Sequence, residues 1–340
     1  MISILFSIFI FYFNFSHKID FSTWQPLAFN FSQKITEGAR LASVDFKTVF
    51  LGREADAVIG GMYQVRNNNE LAKLPISLPH FPQKAVSYKD FSTNASSGVA
   101  IDNKNQDILF NKDADKLWSI ASITKLVSAL VFLDHNPGWD KVYEVKKQDR
   151  REGGKIYLFS GEKVKVKDLF YSSLVASGNT ETIALANSTG MNEAQFVAAM
   201  NEKVKSLGLE KTVFSDPVGL SDQNVSTAKE IAKIAQVALA NKDIFQTTLT
   251  KKYEFKTLEG KKKKVISTDE LLGMDMPGGI KLMGGKTGHT DKAGYCFVGK
   301  FVNKNGNEVT SVVLGMPSDD ARFSETNSLI DWVFKNYHWQ

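Results

Sequence analysis

A chain of 340 residues of which 43% are hydrophobic and 23% charged can bury one or two substantial cores, and this composition excludes a disordered or fibrous polymer. The formal charge of +5 is locally concentrated at Lys251-Lys252 and Lys261-Lys262-Lys263-Lys264, runs that read as a solvated hairpin or loop, and no nucleic-acid-binding module accompanies them. One cysteine, Cys296, excludes an intrachain disulfide, while His17, His80, His135, His289 and His338 stand too far apart for metal-ligand spacing, so no metal or other cofactor is expected.

Ile2 to Phe15 is apolar except at Ser3, Ser7 and Asn14, with Phe6, Phe9, Phe11, Tyr12, Phe13 and Phe15 supplying the bulk. The run is shorter than the roughly 20 residues that span a bilayer as a helix, lacks a positively charged leader and is closed by His17-Lys18. Residues 1–17 are therefore expected to be a signal or membrane anchor that takes the chain out of the cytoplasm. Between residues 18 and 94 short apolar patches alternate with polar ones, and Pro75, Pro79 and Pro82 break any period. That stretch predicts a spacer or accessory segment without chemistry, leaving 95–340 as the main domain.

Gly98 to Asp102 and Asp107 to Asn111 read as two strands of a hairpin around Asn103-Lys104-Asn105-Gln106. Leu117 to Leu133 lacks internal Gly and Pro and is apolar around most of its circumference, which predicts a largely buried helix ended by Asn136-Pro137-Gly138. A polar, β-rich stretch to Lys165 follows. Helical patterns then run over 166–177, broken at Gly178-Asn179, and over 180–187, 192–207 with Gly208 as stop, and 227–240 behind a Thr227 to Glu230 capping box. Strands are predicted at 253–257, 264–267, 284–290, 295–303 and 308–316, with Asn305-Gly306 turning the last pair, before a helix over 320–336. Strands on both sides of a helical block predict an α+β domain: one antiparallel sheet built from both ends of the domain, with the helical lobe inserted.

Three short motifs carry chemistry. Ser122 and Lys125 share a helix face, and a buried ammonium that loses its proton becomes a base able to activate a neighbouring hydroxyl. Spacing alone does not single them out, because Ser226-Thr227-Ala228-Lys229 repeats it at the start of another helix. Ser177-Gly178-Asn179 exposes a hydroxyl and an amide where a helix is interrupted. Lys286-Thr287-Gly288 lies in a glycine-flanked strand, where a ligand or another backbone can approach closely.

In this order, S-x-x-K, S-x-N and K-T-G resemble the signature of the active-site serine penicillin-recognising enzymes. The likeness runs from about Ser97 to Asn336 and is closest to the D-alanyl-D-alanine carboxypeptidases among low-molecular-mass penicillin-binding proteins. It includes Met200-Asn201-Glu202-Lys203, Asp216-Pro217-Val218-Gly219-Leu220 and Gly285-Lys286-Thr287-Gly288-His289-Thr290. Two places depart from the family: Ser267-Thr268-Asp269 stands where Asn-Thr-Asn is usual, and Thr180-Glu181 where Asp-Ala is common.

The resemblance implies a β-lactamase/transpeptidase-like fold and an acyl-enzyme on Ser122. Lys125 would take the Ser122 proton, its pKa depressed by Lys286 along with burial, and Ser177 would pass a proton to the leaving amine, relayed through Lys125 or Lys286. Asn179 would hold the substrate amide, and Lys286 and Thr287 its terminal carboxylate, with Gly288 and His289 lining the strand. Backbone N–H groups of Ser122 and His289 would form the oxyanion hole. The implied partners are peptidoglycan stem peptides, with β-lactams as covalent inhibitors, at the outer face of the cytoplasmic membrane and with the N-terminal segment as tether. Carboxypeptidase is the main reading and DD-endopeptidase the alternative. A β-lactamase would need a Glu-x-x-Leu-Asn loop, which is absent, and an inactive wall-binding scaffold would not need the full motif set.

Overall fold

Residues 64–67, 70–73 and 81–339 are described by the computed structural model, in two units divided between Pro79 and His80. In the first, Gln64–Asn67 and Glu70–Lys73 pair as an antiparallel hairpin. The expected anchor over residues 1–17 lies outside the described residues.

The second unit opens with β1 (Pro82–Lys84), β2 (Ser97–Asp102) and β3 (Ile108–Lys112), followed by α1 (Lys125–Asp134). The helical block continues as α2 (Val166–Val175), α3 (Asn179–Ser188), α4 (Glu193–Ser206), α5 (Ala228–Ala240) and α6 (Lys242–Thr248). A hairpin of β4 (Lys252–Lys256) and β5 (Lys262–Ile266) precedes the long strands β6 (Lys281–Thr290), β7 (Gly294–Val302) and β8 (Glu308–Met316). Helix α7 (Asp319–Asn336) and β9 (Tyr337–Trp339) close the unit.

The sheet runs β6-β7-β8-β2-β3 and is antiparallel throughout. Strand β8 joins β2 through Val312 opposite Val99 and Leu314 opposite Ser97, so the two ends of the unit meet in mid-sheet and the helical block is an insertion between them. Each face buries its own core. Val99, Val298, Val312 and Leu314 pack on the helical lobe with Leu126, Phe132, Ile231 and Ala235. Ala100, Phe297, Phe301 and Val313 pack on α7 through Leu329, Ile330 and Val333. A sheet covered on both faces explains why these strands are nearly continuous apolar runs rather than alternating ones.

Two local expectations are corrected. The helix predicted from Leu117 begins only at Lys125, because Trp118–Ser119 pairs with Val225–Ser226 as a short strand and Ala121–Thr124 forms a 3-10 turn. The backbone is committed there, since Ile120 donates its N–H to Asn224 O at 3.1 Å and Ala121 has φ +46°. Of the capping box on α5 only one half forms: Thr227 Oγ1 accepts the Glu230 N–H, whereas the Glu230 carboxylate accepts from Lys211 N and Thr212 Oγ1. The short helix α6 was not predicted; Asn241 caps it by accepting from the N–H groups of Asp243 and Ile244.

Residues 81–94, assigned from sequence to the spacer, belong to the second unit and pack against its closing elements. Strand β1 pairs with β9, Ala85 N donates to Asn336 O at 2.8 Å, and Phe91 meets Phe110 and Trp332 edge-on or tilted at 5.4 and 5.6 Å between ring centroids. Tyr88 adds contacts to Trp332 and Tyr337. Lost burial and ring contacts make Phe91→Ala cost about 2 kcal/mol, which lowers the melting temperature by roughly 4–8 °C in a domain of this size. Thermal unfolding checks this, and removal of the residues up to Asn94 should cost more than the single substitution.

Candidate active site

Three segments converge at one edge of the sheet. Strand β6 is an edge strand, and it faces the 3-10 turn Ala121–Thr124 that precedes α1. Gly288 makes that approach possible: a Cβ there would stand 2.8 Å from Ile120 O. The α2 to α3 junction supplies the third segment, with Ser177 at φ +56°. Ala121 and Ser177 are two of the four non-glycine residues with positive φ among the described residues, and both lie at this site. Left-handed backbone of this kind costs of order 1–3 kcal/mol per residue and persists only where the surroundings over-determine it.

The surroundings are the loop from Ser215 to Asn224. Gly219, at φ +85°, lies so close to the turn that a Cβ would come 1.9 Å from Ala121 O, which only glycine allows. One carboxylate shapes the loop: Asp216 Oδ1 accepts the N–H groups of Val218 and Gly219 at 2.7 and 2.6 Å, and Oδ2 accepts that of Ser221 at 2.6 Å. Asn224 ties loop to turn, donating from Nδ2 to Thr124 Oγ1 and Asp216 O.

Lys125 lies fully buried at the centre. Its Nζ is 2.7 Å from Ser122 Oγ, 2.8 Å from Asn179 Oδ1 and 2.7 Å from Val218 O. None of the three is a carboxylate. Burial pushes the Lys125 pKa down to about 7, opposed by the more distant charges of Asp216 and Glu181. As a neutral amine Lys125 has two N–H donors, which suit Asn179 Oδ1 and Val218 O, and one lone pair left to accept the Ser122 O–H. Asn179 is held in turn, since its Nδ2 donates to Gly153 O at 2.5 Å and Glu152 O at 3.3 Å.

Lys286 forms the second polar group. Its Nζ donates to Ser177 Oγ at 2.8 Å and to Thr287 O at 2.9 Å, and its side chain is buried. Burial first, then the cations Lys125 and Arg322, hold the Lys286 pKa well below the usual lysine range; Asp269 acts the other way. Thr287 Oγ1 lies 2.6 Å from Thr268 Oγ1. His289 is exposed and stacks on Tyr295 at 4.0 Å.

Five of the six side chains singled out in the three motifs therefore form two hydrogen-bonded groups where β6 meets the turn, Ser122 with Lys125 and Asn179, and Ser177 with Lys286, while the Thr287 hydroxyl bonds Thr268. The look-alike motif does not: Ser226 Oγ bonds Thr212 Oγ1 at 2.7 Å, and Lys229 pairs with Asp115 at the surface. Sequence reasoning assigned no role to Val218, Asp216, Asn224 or Gly153. The Asp216 to Leu220 run was visible as part of the resemblance, but acceptors on the main chain leave no mark on residue type.

The profile of the serine peptidase family described as D-alanyl-D-alanine carboxypeptidase matches residues 83–318. D-alanyl-D-alanine carboxypeptidase DacF of Bacillus subtilis is 30% identical over 256 residues, covering 73% of this chain and 64% of that protein. The carboxypeptidase DacA of Haemophilus influenzae is 29% identical and 62% covered, so the chain spans just under two thirds of these relatives. Among solved structures, the Streptomyces K15 DD-transpeptidase superposes with a TM-score of 0.67 at 28% identity, over 73% of this chain and 99% of that one. A fold shared to this extent, and a family profile that runs across the cleft from β1 to the end of β8, show that the chain belongs to the D-alanyl-D-alanine carboxypeptidase family of serine peptidases.

Proposed function

We propose that this chain is a serine-type D-alanyl-D-alanine carboxypeptidase that removes the terminal D-alanine from peptidoglycan stem peptides. The observation that carries the reading is the 2.7 Å contact between Ser122 Oγ and a buried Lys125 amine whose other partners are uncharged oxygens. In acylation, Lys125 takes the Ser122 proton as Oγ attacks the carbonyl between the two D-alanines. The tetrahedral oxyanion is stabilised by the N–H groups of Ser122 and His289. As the C–N bond breaks, Ser177 gives its proton to the leaving amine and is reprotonated from Lys125 or Lys286. Water then hydrolyses the Ser122 ester and releases the shortened peptide. Asn179 orients Lys125 and the substrate amide, while Lys286 and Thr287 bind the terminal carboxylate, with Gly288 keeping the strand close. β-Lactams would enter by the same attack and remain on Ser122.

Such a substrate places the enzyme outside the cytoplasm, with residues 1–17 as export signal or tether. Among the described residues no helix is long and apolar enough to cross a membrane. DD-endopeptidase is the second reading. A relative of that name supports it: the chain spans 86% of the D-alanyl-D-alanine endopeptidase of Escherichia coli, at 29% identity, and 87% of a Streptomyces D-alanyl-D-alanine carboxypeptidase, so coverage does not choose between the two. The two differ only in whether the leaving amine belongs to free D-alanine or to a cross-linked stem, and a digest of monomeric and cross-linked muropeptides separates them.

Incubation with a fluorescent penicillin, with mass analysis of a pentapeptide digest, tests the reading. Labelling at Ser122 and release of D-alanine are expected. Ser122→Ala should remove labelling, and Lys125→Ala should slow it by about 10²–10⁴-fold, the span of a lost general base. Ser226→Ala should label normally, having lost one buried hydrogen bond worth about 1 kcal/mol of stability. A second expectation concerns pH. Lys125 works only without its proton, so acylation should fall about tenfold per pH unit below about 7 and level off above it. A rate that rose on acidification would remove Lys125 from the role of base.

A further inference from the structure

Thr180-Glu181, in the first turn of α3, is one of the two places where the sequence departs from its family, in which Asp-Ala is common. Both side chains are buried, and both reach the same segment, residues 151–158. Thr180 Oγ1 accepts the Arg151 N–H at 3.2 Å, and Glu181 Oε1 accepts the Leu158 N–H at 3.0 Å. Between these two points the Glu152 and Gly153 carbonyls accept from Asn179 Nδ2. Three consecutive side chains of one helical turn thus hold one strap of main chain. An alanine at 181 would offer the Leu158 N–H no acceptor.

The strap needs that hold. Gly153 and Gly154 both have positive φ, residues 152–155 are exposed, and among the described residues Asn179 is the one hydrogen-bond partner of 152–156. Further contacts lie towards the ends, where Arg151 pairs with Glu193 and Tyr157 O accepts from Lys263 Nζ at 2.9 Å. An amide held by main-chain carbonyls is only as well placed as the chain that carries them. Asn179 is also the residue whose Oδ1 lies 2.8 Å from Lys125 Nζ, so the placement of the strap is passed on to the base. Glu181 touches the motif directly as well, since a Cβ at Gly178 would overlap its Oε2, an oxygen with no hydrogen-bond partner. We infer that Thr180 and Glu181 are positioning residues that act through Asn179: by fastening both ends of the strap they keep its carbonyls where Asn179 is directed at Lys125 and the substrate amide. Burial holds the Glu181 pKa above the usual carboxylate range. Glutamine there has nearly the shape of the protonated acid and keeps the acceptor for Leu158.

The inference rests on the acylation chemistry proposed above, and two readouts on the full chain test it. Lys155 is exposed on the strap, so trypsin reports the hold directly: cleavage after Lys155 should be several-fold faster in Glu181→Ala than in native protein or Glu181→Gln. The second readout is the rate of labelling at saturating fluorescent penicillin. Glu181→Ala should slow it by about 10–10²-fold, the cost of a misplaced positioning group, with Glu181→Gln close to native. In an Asn179→Ala background, itself slow, Glu181→Ala should cost nothing further, because both changes remove the same orientation. Should Asn179→Ala leave no rate to measure, Asn179→Ser carries the cycle. Thr180→Val, which keeps the volume and removes the acceptor for Arg151, is read in the same way should Glu181→Ala fail to fold. Equal losses with and without Asn179, a glutamine variant as slow as the alanine one, or an unchanged rate of tryptic cleavage overturns the inference and leaves the proposed function standing. Absence of labelling in the native chain overturns the proposed function, and this inference with it.

Discussion

Lys125 puts an amine where water does not reach and surrounds it with three oxygens, none of which is charged in its resting form. A carboxylate in any of those positions would hold the proton on the nitrogen and leave a cation with no basicity to offer. Neutral acceptors do the opposite. They satisfy the N–H donors, fix the direction of the lone pair and let burial lower the proton affinity. Much of the site serves that arrangement: Asn179 is pinned by carbonyls of Glu152 and Gly153, and Val218 O is aimed by a loop wound around the Asp216 carboxylate.

The strain in the site has an identifiable counterweight. Ala121 and Ser177 adopt backbone conformations that L-residues avoid, one just before Ser122 and the other at the second hydroxyl. Each is held by elements that have no freedom to follow a relaxation. Gly219 is wedged against the Ala121 carbonyl, Asn224 bridges to Thr124, and Lys286 holds the Ser177 hydroxyl from the facing strand. Two glycines, Gly219 and Gly288, bring main chain against main chain around Ser122, and a methyl group at either would push the facing main chain away.

Sequence showed more of the fold than of the site's support. Periodicity and turn chemistry gave the strands on both sides of the helical block, and hence a single sheet made from two ends, because those signals are local. The helix start was misplaced by eight residues' worth of apolar chain, from Leu117 to Lys125, because hydrophobicity does not register a turn whose backbone is fixed by Asn224 across the cleft. The three motifs were legible as residue types at set spacings, and only their meeting at one cleft separates Ser122 from Ser226. Residues 81–94 escaped for a different reason: Tyr88 and Phe91 look like isolated aromatics until Trp332 and Tyr337 come back to them from the far end of the unit.

The return of β8 to β2 has a kinetic meaning. The middle of the sheet cannot close until the whole helical lobe has been made, so the contacts that seal both cores are among the most non-local in the molecule. Until then the apolar faces of α1 and α5 and the unpaired edge of β2 have no cover. Once the complete chain is present, the closing strand can seal both cores in one event. Released early, with β8 missing, the same chain would present a hydrophobic helical surface and a bare strand edge to its neighbours, and association between copies would compete with folding.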